Sequence, residues 1–201
     1  MLLNGGFYLV AREVGEDAAD DDGESFELPS DLDFFRFHAE SCGSEPTDDV
    51  AVFGAGPGGM SAALAAARKG VRTALVHDRP VLGGNASCEL GVPTDGAAIS
   101  HPNAREGGIC EEANLARVGT KERTFSAVFR EMAKKLPTLT VFSNQRVMKV
   151  DKDGAKIAAV IARDTLTGAW TRFRGQIFFD GTGDGWIGYF AGAELLYGRE
   201  G

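Results

Sequence analysis

The chain has little of what several functional classes require. Its 201 residues include three cysteines, Cys42, Cys88 and Cys110, and three histidines, His38, His77 and His101. No cysteine pair has the CxxC spacing of a redox dithiol or half a zinc site. The histidines are equally scattered, so no metal site is expected. The thiols read as reduced and intracellular, which implies a cytoplasmic protein. Apolar runs fall far short of the roughly 18 residues a spanning helix needs, so no membrane partner is expected. The N-terminal MLLNGGFYLVAREVG lacks a basic start and an apolar block ending in a cleavage site, which speaks against a secretory signal. No basic stripe marks a nucleic-acid surface.

Charge is unevenly placed. The net charge is −8, and Glu13 to Glu27 carries eight acids with no base. Removing those eight from the 29 acidic residues leaves 21, equal to the number of Lys and Arg. The remainder is balanced. Residues 1–47 therefore read as an acidic, irregular leader, holding the aromatic cluster Phe34, Phe35 and Phe37 and a CGSEPTDD linker. The cluster either packs on the following domain or covers a partner. At 201 residues and a hydrophobic fraction of 43%, the chain can hold one good core, expected within the domain at residues 48–201.

What is present is concentrated in DVAVFGAGPGGMSAALAAARKGVRTALV, from Asp49 to Val76. The apolar run Val50 to Phe53 predicts a strand, and an alanine-rich helix should follow to about Lys69. Gly70 ends that helix, and Val71 to Val76 supplies a second, parallel strand. Between strand and helix stands Gly54-Ala55-Gly56-Pro57-Gly58-Gly59, the GxGxxG dinucleotide pattern in its required context. Gly54 suits the tight turn out of the strand. Gly56 lets backbone approach a pyrophosphate, and Gly59 lets the helix sit close to the sheet. Pro57 falls at the first helical position, where its missing N–H costs little. The free N–H groups of that turn and the helix dipole favour a diphosphate. The alternative is a glycine-rich turn in an ordinary βαβ unit.

Beyond it lies a long glycine-rich connection, Arg79 to Gly119, either functional or partly helical. Phe125, Val128, Phe129, Met132 and Leu136 then fall at helical spacing, with Pro137 as a stop, and read as core packing. From Leu139 the period becomes two. Leu139–Phe142, Arg146–Val150, Ile157–Ala162 and Trp170–Arg174 predict strands, with turns at Asp153-Gly154 and Thr167-Gly168. Gln176 to Asp180 predicts a returning apolar strand that ends in Gly181-Thr182-Gly183-Asp184-Gly185.

GAGPGG, LVHDRPVLGGNAS, HPNAREGGICEE and FFDGTGDGWIGYFAGAELLYGREG together resemble the FAD-dependent oxidoreductases of the glutathione-reductase-like class, in particular a subgroup with LGGN-x-S and TGDG motifs. The resemblance runs from Asp49 to Gly201. It implies an α/β, Rossmann-like, three-layer FAD-binding domain: a parallel sheet, helices and an antiparallel β-meander. It also implies that Gly54, Gly56, Pro57, Gly58 and Gly59 hold the FAD pyrophosphate, and that Gly83, Gly84 and Asn85 pass its ribityl and phosphate part. Gly181, Gly183 and Asp184 would return beside the first turn, with Asp184 either a ribityl ligand or a turn residue. Val147 would meet the adenine through its backbone.

One position departs from the pattern. Such flavoproteins usually place a glutamate at the end of the second strand to hold the adenosine ribose, and here that slot is His77. Either His77 or the neighbouring Asp78 takes the ribose, or His77 is a plain surface histidine. Cys88 stands alone where disulfide reductases carry a pair, so it reads as a small buried thiol. Arg105, Glu106, Glu111 and Glu112 either reach the flavin edge or cap and solvate a short helix.

The family continues well past the GRE segment, so the chain looks like the N-terminal portion of an FAD enzyme. A separate C-terminal chain is one possible partner, and a small or carbohydrate-like molecule is the implied substrate. The other reading is a nucleotide-binding module without catalysis. An NAD(P)-binding domain is a third, which the GTGDG motif and the meander disfavour.

Overall fold

A computed structural model describes residues 46–92, 94, 107–118 and 124–196. The expected leader lies outside these residues apart from its last two positions, as do Arg105 and Glu106.

The first strand, β1 (Thr47–Phe53), runs into helix α1 (Pro57–Arg68), and β2 (Thr73–Val76) follows. Gly59, Met60, Ala63, Leu64 and Ala67 form the buried face of α1, where Gly59, Ala63 and Ala67 let it lie close to the sheet and Met60 and Leu64 fill the core. Gly70, at φ +81°, turns the chain out of the helix as expected. The long connection is partly helical: a 3-10 turn at Gly84–Ala86 and helix α2 (Ile109–Arg117). Helix α3 (Phe125–Lys134) buries Phe125, Val128, Phe129 and Met132. Its N-cap Thr124 accepts a 3.2 Å hydrogen bond from the Ala127 N–H.

Then come β3 (Leu139–Phe142), β4 (Gln145–Asp153), β5 (Lys156–Asp164), β6 (Trp170–Asp180) and the short helix α4 (Trp186–Ala191). One six-stranded sheet has the order β3-β2-β1-β6-β5-β4. The pairs β3–β2, β2–β1 and β1–β6 are parallel, while β6–β5 and β5–β4 are antiparallel.

The two separate strands expected at Trp170–Arg174 and Gln176–Asp180 are one strand, β6. Its first half pairs with β5 from Arg163 to Ala159, and its second half pairs with β1 up to Phe53–Asp180. Gly175 breaks the apolar pattern but not the hydrogen-bond ladder, since β1 continues past it at Asp48.

This one strand carries the chain between two layers. Val52 and Leu75 pack with the helices against Met60, Leu64 and Phe129. Ala51, Phe53, Ala74 and Val76 face the other way, onto Val147, Val150, Val160, Ala162 and Phe173 of the meander. The central strands β1 and β2 are thus covered on both faces, which is why Val50 to Phe53 and Thr73 to Val76 read as continuous runs. The architecture is the expected α/β three-layer one. In the meander the predicted turns hold: Gly154 at φ +58° and Gly168 at φ +76° close the two hairpins. Asp164 ties the second one by accepting from the N–H groups of Leu166 and Thr167 at 2.9 and 2.8 Å.

Candidate nucleotide-binding site

The sequence direction of β1, β2 and β6 brings their carboxyl ends to one edge. Neighbours on the two sides of β1 leave in opposite directions, β2 through α1 and β6 through the meander. Such a switch point is where open α/β sheets hold ligands.

The glycines at this edge divide into two kinds. A Cβ on Gly54 (φ +94°) would overlap the Gly181 carbonyl, and one on Gly59 would overlap the Gly54 carbonyl. A Cβ on Gly181 would come within 3.1 Å of Phe53 O and 3.2 Å of Gly59 Cα. These three make the junction where β1, α1 and β6 touch backbone to backbone. Gly56, Gly58 and Gly183 are the opposite case, with no described residue within 4 Å of where a Cβ would stand. Their missing side chains leave open space rather than internal contact.

Gly83 and Gly84 close the same turn from the side. The Gly83 N–H donates to Ala55 O at 2.7 Å, and a Cβ on Gly84 would come within 2.8 Å of Gly56 Cα. Asn85 sits exposed in the 3-10 turn beside them. Gly56 is the N-cap of α1, with Pro57 at its first turn and no side-chain cap bond, so the first N–H groups of α1 face the open space.

The loop after β6 is shaped by a residue the motif reading passed over, Asp180. Its carboxylate accepts from the Thr182 N–H at 3.1 Å, the Thr182 hydroxyl at 2.7 Å, the Ile187 N–H at 2.9 Å and the Gly188 N–H at 3.2 Å. Thr182 Oγ1 in turn accepts from the Trp186 N–H at 3.1 Å. Asp184 lies exposed on the rim of this loop. An aspartate directly before a glycine turn was the available signal, since Asx side chains bond backbone N–H groups just ahead of them.

His77 is no surface residue: it is 5% exposed. Its Nδ1 accepts the Ala55 N–H at 3.1 Å, so the end of β2 is bonded into the glycine turn. Burial pushes the imidazole below its ordinary pKa. Asp78 works the other way, with Oδ1 3.5 Å from Nδ1. Asp78 itself is exposed. The Gln145 N–H donates to His77 O at 2.8 Å and the Asn144 N–H to Arg79 O at 3.3 Å, fastening the start of β4 beside this strand end.

There a cleft of about 600 Å³ opens, lined by Arg146, Val147 and Met148, by the hairpin at 163–168, and by Trp186 and Phe190 of α4. The Val147 side chain is buried in the core beneath it. Trp186 and Phe190 stack at 5.7 Å, and Trp186 is 36% exposed, an aromatic surface that the sequence reading did not single out.

A family model described as "FAD dependent oxidoreductase" matches residues 49–201. The chain belongs to the FAD-dependent oxidoreductase family. Over 70 residues it is 40% identical to a digeranylgeranylglycerophospholipid reductase of Picrophilus torridus, covering 35% of this chain and 18% of that one. A flavoprotein/dehydrogenase from Cytophaga hutchinsonii shares the fold at TM-score 0.52 and 15% identity, covering 77% of this chain and 44% of that one. The open conformation of a flavocytochrome c3 fumarate reductase does so at 0.50 and 18%, covering 78% and 37%. The chain therefore spans less than half the length of each of these relatives.

Two expectations for this FAD-dependent oxidoreductase family member need correction. Cys88 is exposed rather than buried; it follows the 3-10 turn, and its backbone N–H donates to Ser126 Oγ at 3.0 Å. His77 is buried, because its ring caps the glycine turn instead of facing water. Glu111 and Glu112 stand in the first turn of α2, where acids favour the helix dipole. Glu112 makes a bidentate pair with Arg68 of α1, both bonds 2.8 Å, and this holds its carboxyl below the usual range.

Proposed function

We propose that residues 48–201 are the FAD-binding portion of an oxidoreductase, with the diphosphate lying across the turn from Gly54 to Gly59. One observation carries this reading. Three glycine segments, 54–59, 83–84 and 181–185, converge on one sheet edge, and the glycines not used in packing, Gly56, Gly58 and Gly183, all border open space. Backbone N–H groups at the start of α1 would take the diphosphate oxygens, and Gly83, Gly84 and Asn85 would pass the next part of the chain. Gly181, Gly183 and Asp184 would flank the ribityl side. His77 or Asp78 would hold the adenosine ribose. The cleft at Val147 would receive the adenine, whose flat face suits the exposed ring of Trp186.

Bound FAD supplies an isoalloxazine that accepts a hydride or electrons from a small-molecule substrate. In this reading the chain's own part is to bind and orient. Asp180 holds the returning loop, His77 holds the turn, and the meander shields the sheet from water. Substrate contacts would come from a C-terminal part, on the same or a separate chain, in keeping with the share of its relatives that this chain spans. The exposed Cys88, in no disulfide among the described residues, favours the cytoplasm.

The test is a visible spectrum of the purified chain after addition of FAD and removal of the excess. Retained bands near about 370 and 450 nm, as bound oxidised flavin shows, are expected. A colourless protein that keeps its fold by circular dichroism would defeat the reading.

A further inference from the structure

His77 occupies the slot at the end of β2, and its surroundings determine how it can bond. An N–H group donates to Nδ1, so Nδ1 carries no proton. A neutral imidazole then holds its one proton on Nε2. Nε2 is buried and has no hydrogen-bond partner among the described residues. A buried donor without a partner is costly, and a ligand that supplies an acceptor removes the cost.

We infer that His77 is a positioning residue of reversed hydrogen-bond polarity: Nδ1 accepts from the glycine turn at Ala55, and Nε2–H donates to a ribose oxygen of the adenosine half of FAD. This rests on the proposed placement of FAD at that turn. A carboxylate in the same slot could only accept, from the turn and from ribose hydroxyls alike. His77 instead accepts on one side and donates on the other, linking the shape of the diphosphate turn to recognition of the ribose.

The groups around the ring allow this. Burial, the largest influence, favours the neutral form, and the Arg79 guanidinium adds to it. Asp78, the Val81 carbonyl and Glu89 favour the charged form. The Val81 carbonyl does not reach hydrogen-bond geometry with Nε2. Arg79 and Glu89 are themselves 3.5 Å apart, so much of their field cancels at the ring. The neutral form prevails at pH 7, and protonation would set two N–H groups against each other at Ala55.

Gln keeps both capabilities and Leu keeps neither, which makes them the decisive variants. Gln can accept from Ala55 with its oxygen and donate with its amide. At pH 8, His77→Gln should bind FAD within about threefold of the parent protein, while His77→Leu should bind about tenfold or more weaker. Undiminished binding by the Leu variant would overturn the inference, as would binding by the Gln variant as weak as that of the Leu variant.

Nitrogen-15 shifts of His77 in the FAD-free parent protein give a reading that no variant's folding can disturb. They should show the Nε2–H tautomer, with slower exchange of that proton once FAD is added. An Nδ1–H tautomer or a charged ring at pH 7 would overturn the inference whether or not FAD binds. Failure of the parent protein to bind FAD, with the tautomer as described, would instead strike at the proposed function and remove the ribose assignment with it.

Discussion

The two ends of the candidate site are built differently. At the glycine turn, backbone meets backbone: Gly54, Gly59 and Gly181 bring β1, α1 and β6 closer than any side chain would allow. At the cleft between β4 and α4, side chains make the walls, and Trp186 is left 36% exposed. The first region is rigid because close-packed backbone has no room to yield. The second can adjust by turning rotamers. A diphosphate needs fixed N–H directions, whereas a flat ring needs only area, so the difference suits a ligand that is charged at one end and aromatic at the other.

The sharpest way to break this contrast is to add one methyl group to each kind of glycine. Gly54→Ala forces a side chain into the Gly181 carbonyl at a positive φ, and a loss of about 3 kcal/mol is expected. Thermal unfolding should show it as a drop of roughly 10 °C or failure to fold. A melting curve like the parent's would mean the junction is looser than its geometry.

Asp180→Asn tests the loop that joins the two regions. It keeps the shape but removes the charge that serves four donors, and about 2 kcal/mol of stability should go with it. Urea unfolding measures this directly, through the midpoint at unchanged slope.

Gly56→Ala is the complement of Gly54→Ala. Its φ of −67° suits alanine and the space is open, so stability should change by no more than about 0.5 kcal/mol. FAD affinity should nevertheless fall about tenfold, roughly 1.4 kcal/mol, as followed by flavin fluorescence. Unchanged affinity would move the diphosphate elsewhere.

The smallest effect is a pH slope. His77 has a folded pKa below its ordinary 6.5, so between the two values the unfolded chain binds more protons than the folded one. The stability present above pH 6.5 should therefore be lost as pH falls through the lower, folded value. His77→Gln should flatten this component of the acid limb in denaturant titrations at a series of pH values.

Local pattern made much of this legible. The strand, glycine turn and helix from Val50 to Arg68 lie within one contiguous stretch, so their pattern is readable from near neighbours. The apolar stripe of α3 is legible in the same way, because helical spacing depends on near neighbours alone.

Other features depend on residues far apart. Nothing in the period of Trp170 to Asp180 says that one strand serves two layers; that follows from β5 and β1 both reaching it. Asp180 reads as the end of a strand until the fold brings the N–H groups of Ile187 and Gly188 to it. The burial of His77 needs Ala55, 22 residues away, to present its N–H to the ring.

The sequence by itself determined the βαβ unit and the two glycine motifs, since these rest on covalent geometry and short-range patterning. Tertiary structure alone decided which of those glycines pack against backbone and which border open space. It also decided which nitrogen of His77 holds the proton, since a tautomer is set by the group opposite and that group arrives only when the chain folds.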